Sequence, residues 1–350
     1  MPFESQDIIF FDIKDNHEFI NEYISGERGV YLDQLESMLN ELVLNKFPEI
    51  SKDSNELQEK LQELVDQKES RVTGVYVFYP WKNTLVRILD EEDFVFIRTI
   101  RNRNKIRVDE QSQLSNKCIG IIGLSVGYSV LMAMALERVS SSFKIADFDC
   151  IELSNLNRIY QPITNIGLNK AIAAKRAVLE LDPYLKVEIF DQGIHENNIL
   201  DFIVGSKKLD LLVDECDSGF VKILARYYAR EYAVPVLMET SDRGVIDIER
   251  YDLDKNYPLL HGRFSEFELN WAELKKLDKQ LLFASIDFTL ASARGIESMG
   301  LIGKEIRTWP QLGSDVLSGG ATISMVARKI FLGDYVESSR KYIDIESKFN

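Results

Sequence analysis

The stretch Cys118–Ser129, CIGIIGLSVGYS, decides the fold. Its first five residues are apolar and rich in isoleucine, the composition of a strand buried on both faces of a sheet. Gly123 ends that run, and the residues after it open a helical pattern that continues through Leu136. A strand, a glycine turn and a helix in that order set free backbone N–H groups and a favourable helix dipole where a phosphate would sit. The segment Cys118–Leu136 carries no charge and is about long enough to cross a bilayer. Gly120, Gly123, Ser125, Gly127, Tyr128 and Ser129 interrupt it where a soluble strand-loop-helix unit turns, so it does not read as a membrane span.

Outward from this unit the texture repeats. FKIAD, LKVEIF, LDLLVDE and VPVLME are short apolar runs, separated by the helix-patterned LNKAIAAKRAVLEL and SGFVKILARYYAREY. Such alternation predicts an α/β fold with a doubly wound, Rossmann-like, mostly parallel sheet and a ligand crevice at the carboxyl ends of its strands. Residues 1–112 read as an N-terminal α+β accessory domain and 113–350 as the domain built on that sheet, with a helical C-terminal part. In the first, Leu32, Leu35, Leu39 and Leu42 recur at helical spacing, and Leu57, Leu61, Leu64 and Val65 resume it after Pro48 and Ser51. Val75–Tyr79 and Thr84–Leu89 alternate as a pair of strands. Toward the C-terminus FSEFELNWAELKKLDKQLL is charged and helical, and Ile323, Val326, Ala327 and Ile330 mark a closing helix entered through Gly319-Gly320.

Composition excludes several function classes. The 350 residues are 45% hydrophobic and 28% charged, which suits a globular protein rather than a disordered one. Lys plus Arg number 42 against 56 for Asp plus Glu, a net charge of −14 that repels phosphate backbones and anionic lipid heads. Neither nucleic acid nor a membrane is an expected partner. The three cysteines, Cys118, Cys150 and Cys216, form no CxxC pair, and His17, His195 and His261 are not spaced to complete a zinc site. MPFESQDIIFFDIKDN lacks the basic start of a signal peptide, so a cytoplasmic location is expected. IRTIRNRNKIR, Ile97–Arg107, inverts the sign of the chain locally.

Gly123, Ser125 and Gly127 shape the turn, but Ser125 and Tyr128 stand where a dinucleotide fingerprint has its second and third glycines. Asp147 ends the next strand 24 residues after Gly123, where an acid commonly holds ribose hydroxyls. ADFDCIELSNLNR, Ala146–Arg158, then leads to Lys170, and LLVDECDS places Asp214 and Asp217 after a strand. Together these residues resemble the ThiF/MoeB family, the adenylating domain shared with ubiquitin-activating enzymes, which carries a DxD, SNLNRQ, a lysine and a strand ending D-C-x-D.

That resemblance, which covers about residues 117–250, implies ATP as the nucleotide and the joining of a carboxylate to AMP with release of pyrophosphate. By matched position, Asp147 and Asp149 would hold the nucleotide, with Asp147 on the ribose, and Asn155, Arg158 and Lys170 its phosphates. Asp217 would hold Mg²⁺, and no zinc is expected. A family arginine that reaches a neighbouring copy's γ-phosphate would be Arg101 or Arg103, which implies a homodimer. The activated carboxylate would belong to a small carrier protein, a peptide or a small molecule, with ETSDRGVIDIERYD, Glu239–Asp252, helping to choose it.

The chain departs from the family at Ser125 and Tyr128, at Ile159 in place of a glutamine, and in having no cysteine after Cys216 to form a thioester. All three cysteines read as small core residues, so the reaction is expected to stop at the acyl-adenylate or to pass it directly to a nucleophile held nearby. Lys175 and Arg176 add positive charge to the site or, as is common at helical spacing, are solvated, and Arg243 reads as a partner of Asp242, Asp247 or Glu249, or else of a substrate carboxylate. Two alternatives stay open: a nucleotide- or partner-binding module without turnover, and an NAD(P)- or flavin-dependent oxidoreductase.

Overall fold

A computed structural model describes residues 7–264, 270–286 and 291–349. The chain divides into two units, one running to Val108 and including Asp182–Tyr184, the other holding Asp109–Leu181 and the chain from Leu185.

The first unit contains β1 (Ile9–Phe11), α1 (His17–Ile24), β2 (Val30–Asp33), α2 (Leu35–Lys46), α3 (Asn55–Asp66), α4 (Glu69–Thr73), β3 (Val75–Tyr79), β4 (Thr84–Ile88) and α5 (Glu91–Thr99). Its sheet runs β1-β3-β4-β2, with β3 antiparallel to β1 and β4, and β2 parallel to β4. Leu35, Leu39 and Leu42 on α2 pack with Leu57 and Leu64 on α3, as their spacing predicts. Leu32 does not join them. It lies on β2 opposite Val86, because Val30 and Tyr31 favour a strand and Asp33 begins the helix by accepting the Leu35 N–H at 3.1 Å. The Arg71 guanidinium grips Asp93 in this core, Nε to Oδ2 at 2.7 Å and Nη2 to Oδ1 at 3.1 Å.

Elements follow in the second unit as α6 (Val108–Ser115), β5 (Cys118–Ile122), α7 (Gly127–Glu137), β6 (Ser142–Ala146), α8 (Lys170–Leu181), β7 (Lys186–Phe190), α9 (Ile199–Val204), β8 (Leu211–Asp214), α10 (Gly219–Glu231), β9 (Val236–Thr240) and β10 (Val245–Glu249). Then come α11 (Trp271–Lys276), α12 (Asp278–Ser285), α13 (Ala293–Leu301), α14 (Gly313–Phe331) and β11 (Ser339–Tyr342). The sheet order is β11-β10-β9-β8-β5-β6-β7. Strands β5 to β9 are parallel, which gives the doubly wound α/β fold its frame.

Two features differ from the sequence reading. Glu239–Asp252 forms most of an antiparallel hairpin, β9 to β10, turned by Arg243 and Gly244 at φ +58° and +55°, and β11 pairs on its outer side. Gly319 and Gly320 lie inside α14 rather than at its entry, because α14 crosses α7 so closely that a Cβ on Gly320 would sit 2.8 Å from the Ser129 carbonyl carbon. The charged stretch around α11 and α12 is helical where it is described, and its residues 265–269 lie outside the described residues. Cys118–Leu136 divides into β5 and α7, and among the described residues no helix is long and apolar enough to cross a membrane.

Candidate active site

The sheet order reverses at β5. The chain builds β5, β6 and β7 in one direction, then returns to lay β8 on the other side of β5. Loops leaving β5 and β8 therefore diverge and open a crevice at the carboxyl ends of the strands. Ile122 lies beside Ala146 on one side and Asp214 on the other, so Gly123, Asp147 and Glu215 leave the sheet in one row. Gly123 has φ +86° and bonds the Ala146 carbonyl through its N–H at 2.8 Å. A Cβ there would lie 2.5 Å from the Glu215 carbonyl oxygen, so only glycine fits. At the head of α7, a Cβ on Gly127 would meet Ile121 Cγ2 at 2.8 Å.

Asp147 is buried against this turn. Its Oδ2 accepts the Leu124 N–H at 2.7 Å and its Oδ1 the Asp149 N–H at 2.8 Å. Burial pushes its carboxyl above the usual range, against the pull of Lys170 and those two N–H groups. Lys170 opens α8 and sets its ammonium 2.9 Å from Asp149 Oδ2; the lysine side chain is 8% exposed and the aspartate 55%. Asn169, not singled out in the sequence, ties the strands together by donating to the Asp147 and Asp191 carbonyls at 3.1 and 3.2 Å, and caps α8 by accepting the Ala171 N–H at 2.8 Å.

Between these anchors runs the loop carrying the arginine. Asn155 is buried and braces it, its Oδ1 accepting the Glu152 N–H at 3.1 Å. Arg158 donates from Nε to Ser125 Oγ at 2.9 Å and from Nη1 to Asn157 Oδ1 at 3.0 Å. Burial lowers the guanidinium's pKa, and the nearby negative charge of Asp217 opposes that. Asp217 is exposed in the turn after β8, and Ser218, rather than Asp217, caps α10 by accepting the Val221 N–H at 3.2 Å.

Gly123, Ser125, Gly127, Asp147, Asp149, Asn155, Arg158, Lys170 and Asp217 thus cluster around one crevice edge. Arg103 belongs to the other unit, where it is exposed and stacks 5.3 Å from the Phe96 ring centroid; Arg101 is exposed there too. Among the described residues no three His, Cys, Asp or Glu side chains gather as a metal cage. The exposed carboxylate of Asp217 fits an ion that takes one or two carboxylates and completes its shell with phosphate and water.

Other residues sit elsewhere than the sequence suggests. Cys150 is exposed, not a core residue, and Cys216 is half-buried with its Sγ 3.0 Å from Asp214 Oδ1, burial pushing its thiol well up. Lys175 is buried on the inner face of α8. Arg243 pairs with Asp344 at 3.0 Å. Behind β8, Asp214 is fully buried between Lys222 and Arg226, and Arg226 also binds Glu249, which accepts from Tyr251 Oη at 2.6 Å and the Leu260 N–H at 2.8 Å. Burial would raise the Asp214 carboxyl, but Lys222 and Arg226 bring it down to about 2. The four-residue spacing of Lys222 and Arg226 on one helix was the available signal for this network.

Comparison with known proteins adds three findings. The ThiF family model matches residues 98–268. An uncharacterized Mycobacterium tuberculosis protein, MT1398 of strain CDC 1551 / Oshkosh, is 38% identical over 274 residues, 78% of this chain and 38% of that protein. A probable molybdopterin-synthase adenylyltransferase of Porphyra purpurea is 31% identical over 118 residues, 33% of this chain and 29% of that protein. The chain therefore spans less than two fifths of the length of these relatives. Among solved structures, E. coli tRNA N6-threonylcarbamoyladenosine dehydratase, TcdA, aligns at a TM-score of 0.49 and 18% identity over 69% of this chain and 96% of that one.

Proposed function

We propose, from the match of residues 98–268 to the ThiF family model, that the protein is an ATP-dependent adenylyltransferase acting on a carboxylate. One observation carries the reading: at the crevice edge Arg158 bonds a hydroxyl, an amide oxygen and the Ser154 carbonyl, and Lys170 an exposed carboxylate, partners that a polyphosphate can displace. The Porphyra relative's name, an adenylyltransferase, supports the same chemistry.

In this reaction a carboxylate oxygen attacks the α-phosphorus of ATP, the bond from that phosphorus to the bridging oxygen breaks, and pyrophosphate leaves with the electron pair. Carboxylate and triphosphate repel one another, so the site must supply fixed positive charge and alignment. Asp147 orients the ribose, Asn155 braces the loop, and Arg158 and Lys170 face the phosphates. Asp217 would hold Mg²⁺, which would neutralise phosphate charge. No cysteine follows Cys216, which is itself held as a thiol against Asp214, and the exposed Cys150 precedes the arginine loop beside Asp149, so the proposed product is the acyl-adenylate. The carboxylate is assigned to the C-terminus of a carrier protein or peptide, or to a small molecule. Arg103 is assigned to a neighbouring copy's phosphates in a homodimer.

Pyrophosphate exchange into ATP tests the reading. Exchange that depends on an added carboxylate and is lost in Arg158→Ala and Asp217→Ala supports it; ATP binding without exchange for any carboxylate would leave only a nucleotide-binding module. Mixing Arg103→Ala with Asp217→Ala protein tests the dimer, since one intact site restored in the mixed dimer is expected.

A further inference from the structure

The two residues that break the glycine pattern are not empty departures, because each bonds the arginine-bearing loop. Ser125 accepts the Arg158 Nε–H at 2.9 Å. Tyr128 is buried, and its hydroxyl donates to the Tyr160 carbonyl at 2.8 Å while accepting from Gln161 Nε2 at 3.0 Å. Gln161 in turn accepts from Asn165 Nδ2 at 2.7 Å. A third change falls in the same loop: Ile159, in the family's glutamine position, is 1% exposed and serves as core, while Gln161 two residues on takes the polar contacts. Glycines at 125 and 128 could make none of these bonds.

We infer that Ser125 and Tyr128 form a latch that holds the Asn155–Gln161 loop in its phosphate-facing position before nucleotide arrives, making them positioning residues for Arg158. The geometry leaves the guanidinium able to respond to a ligand. Its Nε is fixed by Ser125 and its Nη1 by Asn157 and, at 3.4 Å, the Ser154 carbonyl, and among the described residues its Nη2 makes no hydrogen bond. An arginine pinned at Nε keeps its plane and direction, whereas an untethered one samples many rotamers and loses that entropy on binding. A latch of this kind raises the fraction of molecules competent to bind, and apparent affinity scales with that fraction. It acts before binding, so its loss weakens capture of ATP more than the step that follows. The inference rests on the adenylation reading for its kinetics and on hydrogen bonding alone for its structural part.

Ser125→Ala, Ser125→Thr and Tyr128→Phe test it in the full chain. The latch predicts that Ser125→Ala raises the KM for ATP about tenfold, the size expected for a hydrogen bond to a charged group, with a smaller change in kcat. Ser125→Thr, which keeps the hydroxyl, restores the KM. An unchanged KM, or a kcat loss equal to or larger than the KM effect, overturns the latch. Hydrogen exchange in the nucleotide-free protein gives an arm independent of activity: amides of Asn155–Gln161 exchange faster in Ser125→Ala and Tyr128→Phe if the latch exists, and at the wild-type rate if it does not. Absence of any ATP turnover in the wild-type protein would strike the adenylation reading, while the exchange arm still decides the latch.

Discussion

Two clusters of Arg, Lys and Asp lie on either side of the strand switch, built from the same residue types and put to different uses. Behind β8, Arg226 and Asp214 are wholly buried, Glu249 is 1% exposed at its side chain, and each charge is matched by another. In front of β5 and β6, Arg158 is tied to neutral oxygens and Lys170 to a carboxylate half open to solvent. The first arrangement is saturated and can only support structure. The second is held in place yet unsatisfied, and a cation in that state is available to an anionic ligand.

The comparison breaks most visibly in the saturated cluster. Arg226→Ala leaves Asp214 and Glu249 buried without their shared partner, which costs about 3–5 kcal/mol. For a domain of this size that is a fall in Tm of about 10 °C, readable by calorimetry. Arg226→Lys does not recover it, since one ammonium cannot span both carboxylates as the planar fork does. A fall of only a degree or two would show the network to be replaceable and remove the contrast.

Arg158→Ala inverts that pattern. Loss of one preorganised cation facing the developing charge lowers carboxylate-dependent pyrophosphate exchange by about 100-fold. Its partners, Ser125, Asn157 and the Ser154 carbonyl, are neutral groups near solvent, so Tm stays within about 2 °C of wild type. A large Tm loss here would place Arg158 with the structural cluster.

A third, smaller test lies between the clusters. Glu239 is buried with neither carboxylate oxygen hydrogen-bonded among the described residues, packed on Gly319 in α14, and its backbone N–H bonds Glu215 at 2.9 Å. Burial, with the charge of Asp315, pushes its carboxyl up to about 8. A folded-state value above the ordinary one means that the folded chain keeps a proton the unfolded chain releases. The stability this confers is complete below about pH 4.5 and is lost as pH rises through about 8. Glu239→Gln, which mimics the protonated form, therefore matches wild type in Tm near pH 5 and exceeds it by a few °C at pH 8.5. A difference that does not grow with pH would show the carboxylate to be ionised in the folded chain.

How much of this was legible in the sequence follows from what each signal depends on. Strands β5, β6, β8 and β9 were readable because burial on both faces writes a mostly apolar run, and the edge strand β7 by the spacing of Val187, Ile189 and Phe190. The hairpin strand β10 was not, because Asp247 and Glu249 interrupt its apolar residues and find their partners, Arg340 and His261 for the first and Arg226 for the second, far away in sequence. Leu32 fell into a helical period by coincidence, and Gly319-Gly320 imitated a helix start where close packing on α7 and Glu239 demanded small residues. At the site, Asp147, Arg158 and Lys170 were visible as a spaced motif. Ser125 and Tyr128 were visible only as missing glycines, since their bonds join residues 33 positions apart.

The smallest expected effect discriminates the clusters most finely. Asp149→Asn removes the carboxylate that holds Lys170, and at face value this repeats the injury of Arg226→Ala: a buried cation loses its anion. The surroundings decide otherwise. Asp149 is more than half exposed, and ion pairs open to solvent contribute about 1 kcal/mol or less. Lys170 also keeps the negative charge of Asp147, which the structure places within its electrostatic reach. Tm in Asp149→Asn is therefore expected to stay within about 2 °C of wild type. A fall approaching that of Arg226→Ala would mean that Lys170 is a structural cation whose ammonium cannot leave Asp149 for a phosphate, and the division between saturated and available charge would then run through Arg158 alone.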